Sequence, residues 1–146
     1  MQSLAQRLLV VEDDVTLARA LSRTLARCGF SVAVARSCTA ARSLAQTFDM
    51  AILDLDLPDG NGVDLARQLL DSGKVPGVMF FTGSTDPGML ARARRLGPLV
   101  MKAKGSGELI TLLATSESAD PPESRTNRSS KLDSVRAPSL RRSRAR

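Results

Sequence analysis

The sequence predicts an α/β fold, a doubly wound parallel sheet of five strands built from five successive β-α repeats. Three observations predict it. Short apolar runs recur without alternation, as strands buried on both faces require. Between them lie segments whose apolar residues recur at helical spacing. Strand and helix alternate strictly over about 108 residues, which implies parallel pairing, right-handed crossovers and helices on both faces.

The first strand is Leu8-Leu9-Val10-Val11, which stops at Glu12-Asp13-Asp14. Leu17, Ala18, Leu21, Leu25 and Cys28 then mark a helix, with Gly29 where a C′ glycine belongs. Phe30, Val32 and Val34 alternate with smaller or polar residues and give the second strand. Ser37 reads as an N-cap, followed by a helical face of Ala41, Leu44, Ala45 and Phe48. Met50-Ala51-Ile52-Leu53 is the third strand and ends at Asp54. Pro58-Asp59-Gly60-Asn61-Gly62 is dense in turn signals, and Asp59 and Asn61 read as turn formers. Val63, Ala66, Leu69 and Leu70 form the third helix, closed near Gly73. Val78 to Phe81 is the fourth strand, followed by Thr82-Gly83; Met89, Leu90, Ala93 and Leu96 make a helix ending at Gly97. Leu99-Val100-Met101 is a short fifth strand, and Leu109, Leu112 and Leu113 mark the last helix.

Composition narrows the chemistry. The chain has no histidine, so Ser-His-Asp and Cys-His catalysis and imidazole zinc sites are excluded. Cys28 and Cys38 match no common metal spacing and read as small buried or half-buried thiols. No apolar run is long enough for a membrane span, and Met1 to Arg7 lacks signal-peptide character, so a cytoplasmic location is expected. Charge is uneven. Residues 1–114 carry 13 basic and 11 acidic side chains, whereas 115–146 carry 8 and 4. The second segment is rich in Ser, Arg and Pro and is expected to be a disordered basic tail. Its Arg141-Arg142-Ser143-Arg144-Ala145-Arg146 run can attract anionic partners nonspecifically. No helix-turn-helix-like pattern is present, so no sequence-specific DNA-binding domain is expected. The expected domain is therefore 7–114.

Placed on this skeleton, Glu12 and Asp13 end the first strand, Asp54 the third, Thr82 the fourth and Lys102 the fifth. All converge on the carboxyl edge of the sheet, where such folds collect ligands. Three carboxylates without compensation would raise one another's pKa. A hard divalent cation offsets this, and oxygen ligands with room for waters suit Mg²⁺. Asp54, ionised at neutral pH, can then act as a nucleophile towards a phosphoryl group. Thr82 and Lys102 can hold the remaining phosphoryl oxygens.

These residues resemble a known family. Leu9 to Asp14, Ile52 to Gly62, Phe81-Thr82-Gly83 and Val100-Met101-Lys102 look like the corresponding motifs of response-regulator receiver domains, over residues 7–114. The resemblance implies a flavodoxin-like (βα)5 fold. It implies that Asp54 is the phosphoacceptor, and that Glu12 and Asp13 are the acidic pair. The Asp56 backbone carbonyl is implied as a third Mg²⁺ ligand beside Asp13 and Asp54. Thr82 is implied as the switch hydroxyl, Lys102 as the phosphate-binding lysine, and a sensor histidine kinase or phosphotransfer protein as the phosphoryl donor. Lys104 competes with Lys102, because Ala103 stands where the family usually has proline. The family's signalling aromatic is replaced by Leu99, or by Met101 in the other register, and the chain has no Tyr or Trp.

The expected function is a stand-alone receiver in a two-component phosphorelay, with no enzymatic turnover of a separate substrate. A phosphorylation-independent adaptor is one alternative, motivated by the missing aromatic. An aspartate-nucleophile phosphatase is another, motivated by the Asp54-x-Asp56 spacing. Arg92, Arg94 and Arg95 cluster on the fourth helix as a solvated or partner-docking face.

Overall fold

The computed structural model describes residues 5–118 of the chain. It contains β1 (Arg7–Val11), α1 (Val15–Arg27), β2 (Ser31–Ala35), α2 (Cys38–Ser43), β3 (Met50–Leu53), β4 (Asp56–Leu57), β5 (Gly60–Asn61), α3 (Gly62–Asp71), β6 (Val78–Thr82), α4 (Pro87–Leu96), β7 (Leu99–Met101) and α5 (Gly107–Ser118), with a 3₁₀ turn at Lys102–Lys104. The expected tail lies outside the described residues from 119 onwards. Within them, α5 runs through Ser118 rather than stopping at 114. The sheet and the site described below belong to the unit that ends at Leu109.

Five strands form one sheet in the order β2-β1-β3-β6-β7, all neighbours parallel. The central strands are the continuous apolar runs of the sequence. Leu8 to Val11, Ala51 to Leu53 and Val78 to Thr82 are all buried, because helices cover both faces. Alternation along each strand divides the core into two layers. Leu9, Val11, Ala51, Leu53, Val78 and Phe80 pack with Cys38 and Ala41 of α2, with Val63, Leu65, Ala66 and Leu69 of α3, and with Ala93 of α4. Leu8, Val10, Ile52, Met79 and Phe81 point the other way. On that side α1 packs against β1 and β2 and buries Ala18, Leu21 and Leu25. Burial of one such leucine contributes roughly 1.5–3 kcal/mol.

The ends of the helices follow local chemistry. Asp14 caps α1, its carboxylate accepting the Leu17 N–H at 3.1 Å. Gly29 stands just beyond the C-cap at φ 99°, a left-handed conformation that glycine adopts without a Cβ clash. Ser37 accepts from the Ala40 N–H and starts α2. Asn61 does the same for α3.

One expectation needs correction. The helix starting at Cys38 stops at Ser43, and Leu44 is extended at ψ 134°, so Leu44, Ala45 and Phe48 do not share a helical face. The Lys74 ammonium donates to the carbonyls of Arg42 and Leu44 and ends the helix there. The Phe48 N–H goes instead to the Lys74 carbonyl at 2.9 Å, and Phe48 is buried beside the sheet by tertiary packing. The turn expected at 58–62 is present as Pro58-Asp59, which closes a small antiparallel hairpin with Asp56 pairing with Asn61 and Leu57 with Gly60.

Candidate functional site

Strand register brings the polar residues together. Val11 of β1 lies level with Leu53 of β3, and Leu53 with Phe80 of β6. Glu12 and Asp54 therefore leave neighbouring strands at the same height. Thr82 is level with Met101 of β7, so Lys102 departs from the same edge. Between β1 and β3 the strand order reverses, which is where such sheets open a crevice at their carboxyl ends.

Glu12, Asp13 and Asp54 each place a carboxylate oxygen within 4.8 Å of the others. Glu12 and Asp54 are 3% and 5% exposed, so two of these charges are withdrawn from water. Lys102 reaches back from the 3₁₀ turn into this cluster. Its ammonium lies 2.8 Å from Glu12 Oε1 and 2.9 Å from Asp54 Oδ2. Lys104 is exposed and makes no ion pair among the described residues. Burial pushes the Glu12 carboxyl above its ordinary pKa, opposed by hydrogen bonds from Lys102 and the Asp14 N–H. Burial also works against the Lys102 charge, but its hydrogen bonds to Glu12 and Asp54 outweigh this and leave it above an ordinary lysine. One ammonium thus serves two acids that also repel each other.

Asp54 is held in place by the chain around it. Its Oδ1 accepts the Leu55 N–H at 2.7 Å and faces the Asp56 N–H at 3.5 Å. The backbone there is crossed closely by the start of α3. The Gly62 N–H donates to the Leu55 carbonyl at 2.9 Å, and a Cβ on Gly62 would sit 2.1 Å from the Asp54 carbonyl oxygen. Only glycine permits that approach. The Asp56 side chain is exposed at the base of the hairpin and contributes no carboxylate to the acid cluster.

Thr82 is fully buried, and its hydroxyl oxygen accepts the Ser84 N–H at 3.1 Å. Ser84 Oγ accepts the Asp86 N–H, and Asp86 caps α4 through the N–H groups of Gly88 and Met89. This cap was legible in the sequence as Asp86-Pro87, an N-cap followed by proline at the first helical position. Leu99 and Met101 are half-buried aliphatic side chains on β7.

Asp59 does more than form a turn. From the hairpin it accepts the Cys38 N–H at 2.7 Å, the Thr39 N–H at 2.9 Å and the Thr39 hydroxyl at 2.7 Å. These bonds, led by the Thr39 hydroxyl, hold its carboxyl far below the usual carboxylate range although it is exposed. No local spacing announces a contact between residues 20 and 21 positions apart.

The three acids fit a hard divalent cation in donor type and proximity, since one lysine leaves the cluster with excess negative charge.

Comparison with known proteins agrees with this architecture. The chain is 42% identical over 90 residues to the DNA-binding response regulator MtrA of Mycobacterium tuberculosis, covering 59% of this chain and 38% of MtrA. It therefore spans under two fifths of that relative's length. The non-phosphorylated HemR receiver domain from Leptospira biflexa superposes with a TM-score of 0.72 at 31% identity, covering 80% of this chain and 98% of that one. TrrA of Thermotoga maritima, in complex with Mg(2+)-BeF, gives 0.67 at 20% identity over 75% and 97%, a likeness of fold. Phosphorylation and Mg²⁺ are typical of the family. No helix among the described residues is long and apolar enough to cross a membrane. Residues 8–113 match the response regulator receiver domain, and the chain belongs to that family of two-component signalling modules.

Proposed function

We infer that the chain is a phosphorylation switch whose acceptor is Asp54, loaded from a phosphohistidine on a sensor kinase or phosphotransfer protein with Mg²⁺ present. One observation carries this reading: Lys102 bridges Asp54 and Glu12 at the strand-order reversal, beside a third acid. The carboxylate of Asp54 attacks phosphorus, the P–N bond to the donor imidazole breaks, and its electron pair returns to the ring nitrogen. Lys102 exchanges its bond to Asp54 for one to a phosphoryl oxygen, and Thr82 donates its hydroxyl proton to another. Glu12, Asp13 and Asp54, with the Asp56 carbonyl, would hold a Mg²⁺ ion, which would supply positive charge for the incoming phosphoryl group. The product acts as a relay intermediate or as a partner-binding state.

The phosphatase reading needs Asp56 as an acid/base, and its exposed side chain outside the acid cluster gives it no support. The test is incubation of the full chain with Mg²⁺ and acetyl phosphate, read by intact mass. One added phosphoryl group is expected, absent in Asp54→Asn and with EDTA. Uptake that survives Asp54→Asn would refute the assignment. Partner binding equal in wild type and Asp54→Asn would favour the adaptor reading.

A further inference from the structure

Outside the acid cluster, one surface combines features that point to a partner. Among the described residues, the large hydrophobic side chains left exposed are Val15 at 40% and Val34 at 39%. Both line the same groove of about 480 Å³, between α1 and the edge strand β2. Its other lining residues include Arg19, Arg23 and Arg36, and no acid. None of the three arginines makes an ion pair among the described residues. An apolar floor with a rim of unpaired guanidinium groups is unusual on a surface that elsewhere leaves large apolar side chains covered.

We propose that this groove docks an acidic amphipathic helix of a partner protein, its apolar stripe on Val15 and Val34 and its carboxylates on Arg19, Arg23 and Arg36. The lining of α1 runs from Val15 to Ala26, about 16 Å at the rise of a helix, so it accommodates roughly three turns of a partner. Carboxylate is the group that a guanidinium fork matches in two hydrogen bonds. Other occupants fit less well. Residues 119–146 of this chain carry eight basic and three acidic side chains, the same sign as the rim. A second copy docked through the same face would set arginine against arginine. Nucleic acid would satisfy the arginines, but phosphate leaves the valine floor uncovered, and no aromatic side chain lies in the groove to stack on bases. The surface is separate from the phosphoacceptor, so docking does not require Asp54.

The probe is a synthetic peptide of about 14 residues, helical, with leucines on one face and flanking glutamates. It is titrated into the full chain and followed through the methyl resonances of Val15 and Val34. A site-resolved readout is needed because the basic residues of 119–146 attract any acidic peptide. Saturable shifts at both valines are expected. Arg19→Glu with Arg23→Glu should weaken binding by about tenfold or more, as two attractive rim contacts become repulsive. The same variant should bind the peptide in which lysines replace the glutamates, and Asp54→Asn should bind as wild type does. Unchanged thermal melting of the double variant confirms its fold. The proposal fails if the valine methyls do not move at about 1 mM peptide, if a scrambled peptide moves them equally, if arginine reversal has no effect, or if a DNA duplex shifts them more strongly than the peptide.

Discussion

Asp54 and Asp59 lie five positions apart and belong to opposite kinds of site. Asp54 is buried, yet its chain-fixed bond is the Leu55 N–H on Oδ1, and Oδ2 holds the movable ammonium of Lys102. Asp59 is exposed, yet three donors from the start of α2 occupy its carboxylate. Exposure alone would rank them wrongly for reactivity. What matters is whether a carboxylate's partners can be exchanged. Backbone N–H groups at a helix start cannot follow a new ligand, whereas a lysine on four methylenes can.

The largest expected difference between the two is phosphoryl uptake. Asp54→Asn should abolish the mass gain from acetyl phosphate, and Asp59→Asn should retain it. Equal loss in both would mean that the hairpin, and not the acid cluster, decides reactivity. Next comes the exchangeable partner. Lys102→Met leaves Glu12 and Asp54 buried without their shared cation, and should cost about 1–3 kcal/mol of stability at neutral pH. Lys104→Met should stay within about 0.5 kcal/mol. Urea denaturation of both variants checks this, and a reversed order would assign the ion pair to the wrong lysine.

The backbone between the two aspartates gives a third test. Gly62→Ala forces a methyl against the Asp54 carbonyl and should destabilise by about 1–3 kcal/mol, in the range of overpacking. Because the strain falls on the Asp54 loop, the proposed function predicts that this variant also takes up phosphoryl more slowly; a normal rate with lowered stability would show that the loop relaxes independently of Asp54.

The smallest effect is the pH dependence of the Asp59 cap. Its folded carboxyl titrates well below the unfolded one, so the folded state holds fewer protons in that window. The stabilisation is therefore complete above the unfolded value of about 4 and is lost as pH falls below it. The difference in urea midpoint between wild type and Asp59→Asn should be constant from neutral pH down to about 5 and shrink below about 4. A difference that instead vanishes between pH 6 and 8 would exclude Asp59 as its source.

Much of this was legible in the chain. The apolar runs Leu8–Val11, Met50–Leu53 and Val78–Phe81 became strands because an unbroken apolar stretch satisfies a sheet covered on both sides. Asp14, Ser37 and Gly29 ended helices where their side-chain chemistry or positive φ predicts. Leu44, Ala45 and Phe48 misled, because helical spacing cannot reveal that Lys74, 30 positions away, takes the carbonyl of Leu44. The hairpin at 56–61 escaped for a related reason: two-residue strands carry no periodicity.

By itself, then, the sequence determined the succession of elements, the acids that end the first and third strands, and the absence of any imidazole chemistry. These depend on local propensity and on residue type. Tertiary structure alone decided that Lys102, which the sequence placed at the end of the fifth strand, bridges Asp54 and Glu12, that Asp59 caps a distant helix, and that Val15, Val34 and three arginines share one groove. Each of those is a meeting across 20 or more positions or between two elements, and strand register and crossover packing create such meetings where no local pattern encodes them.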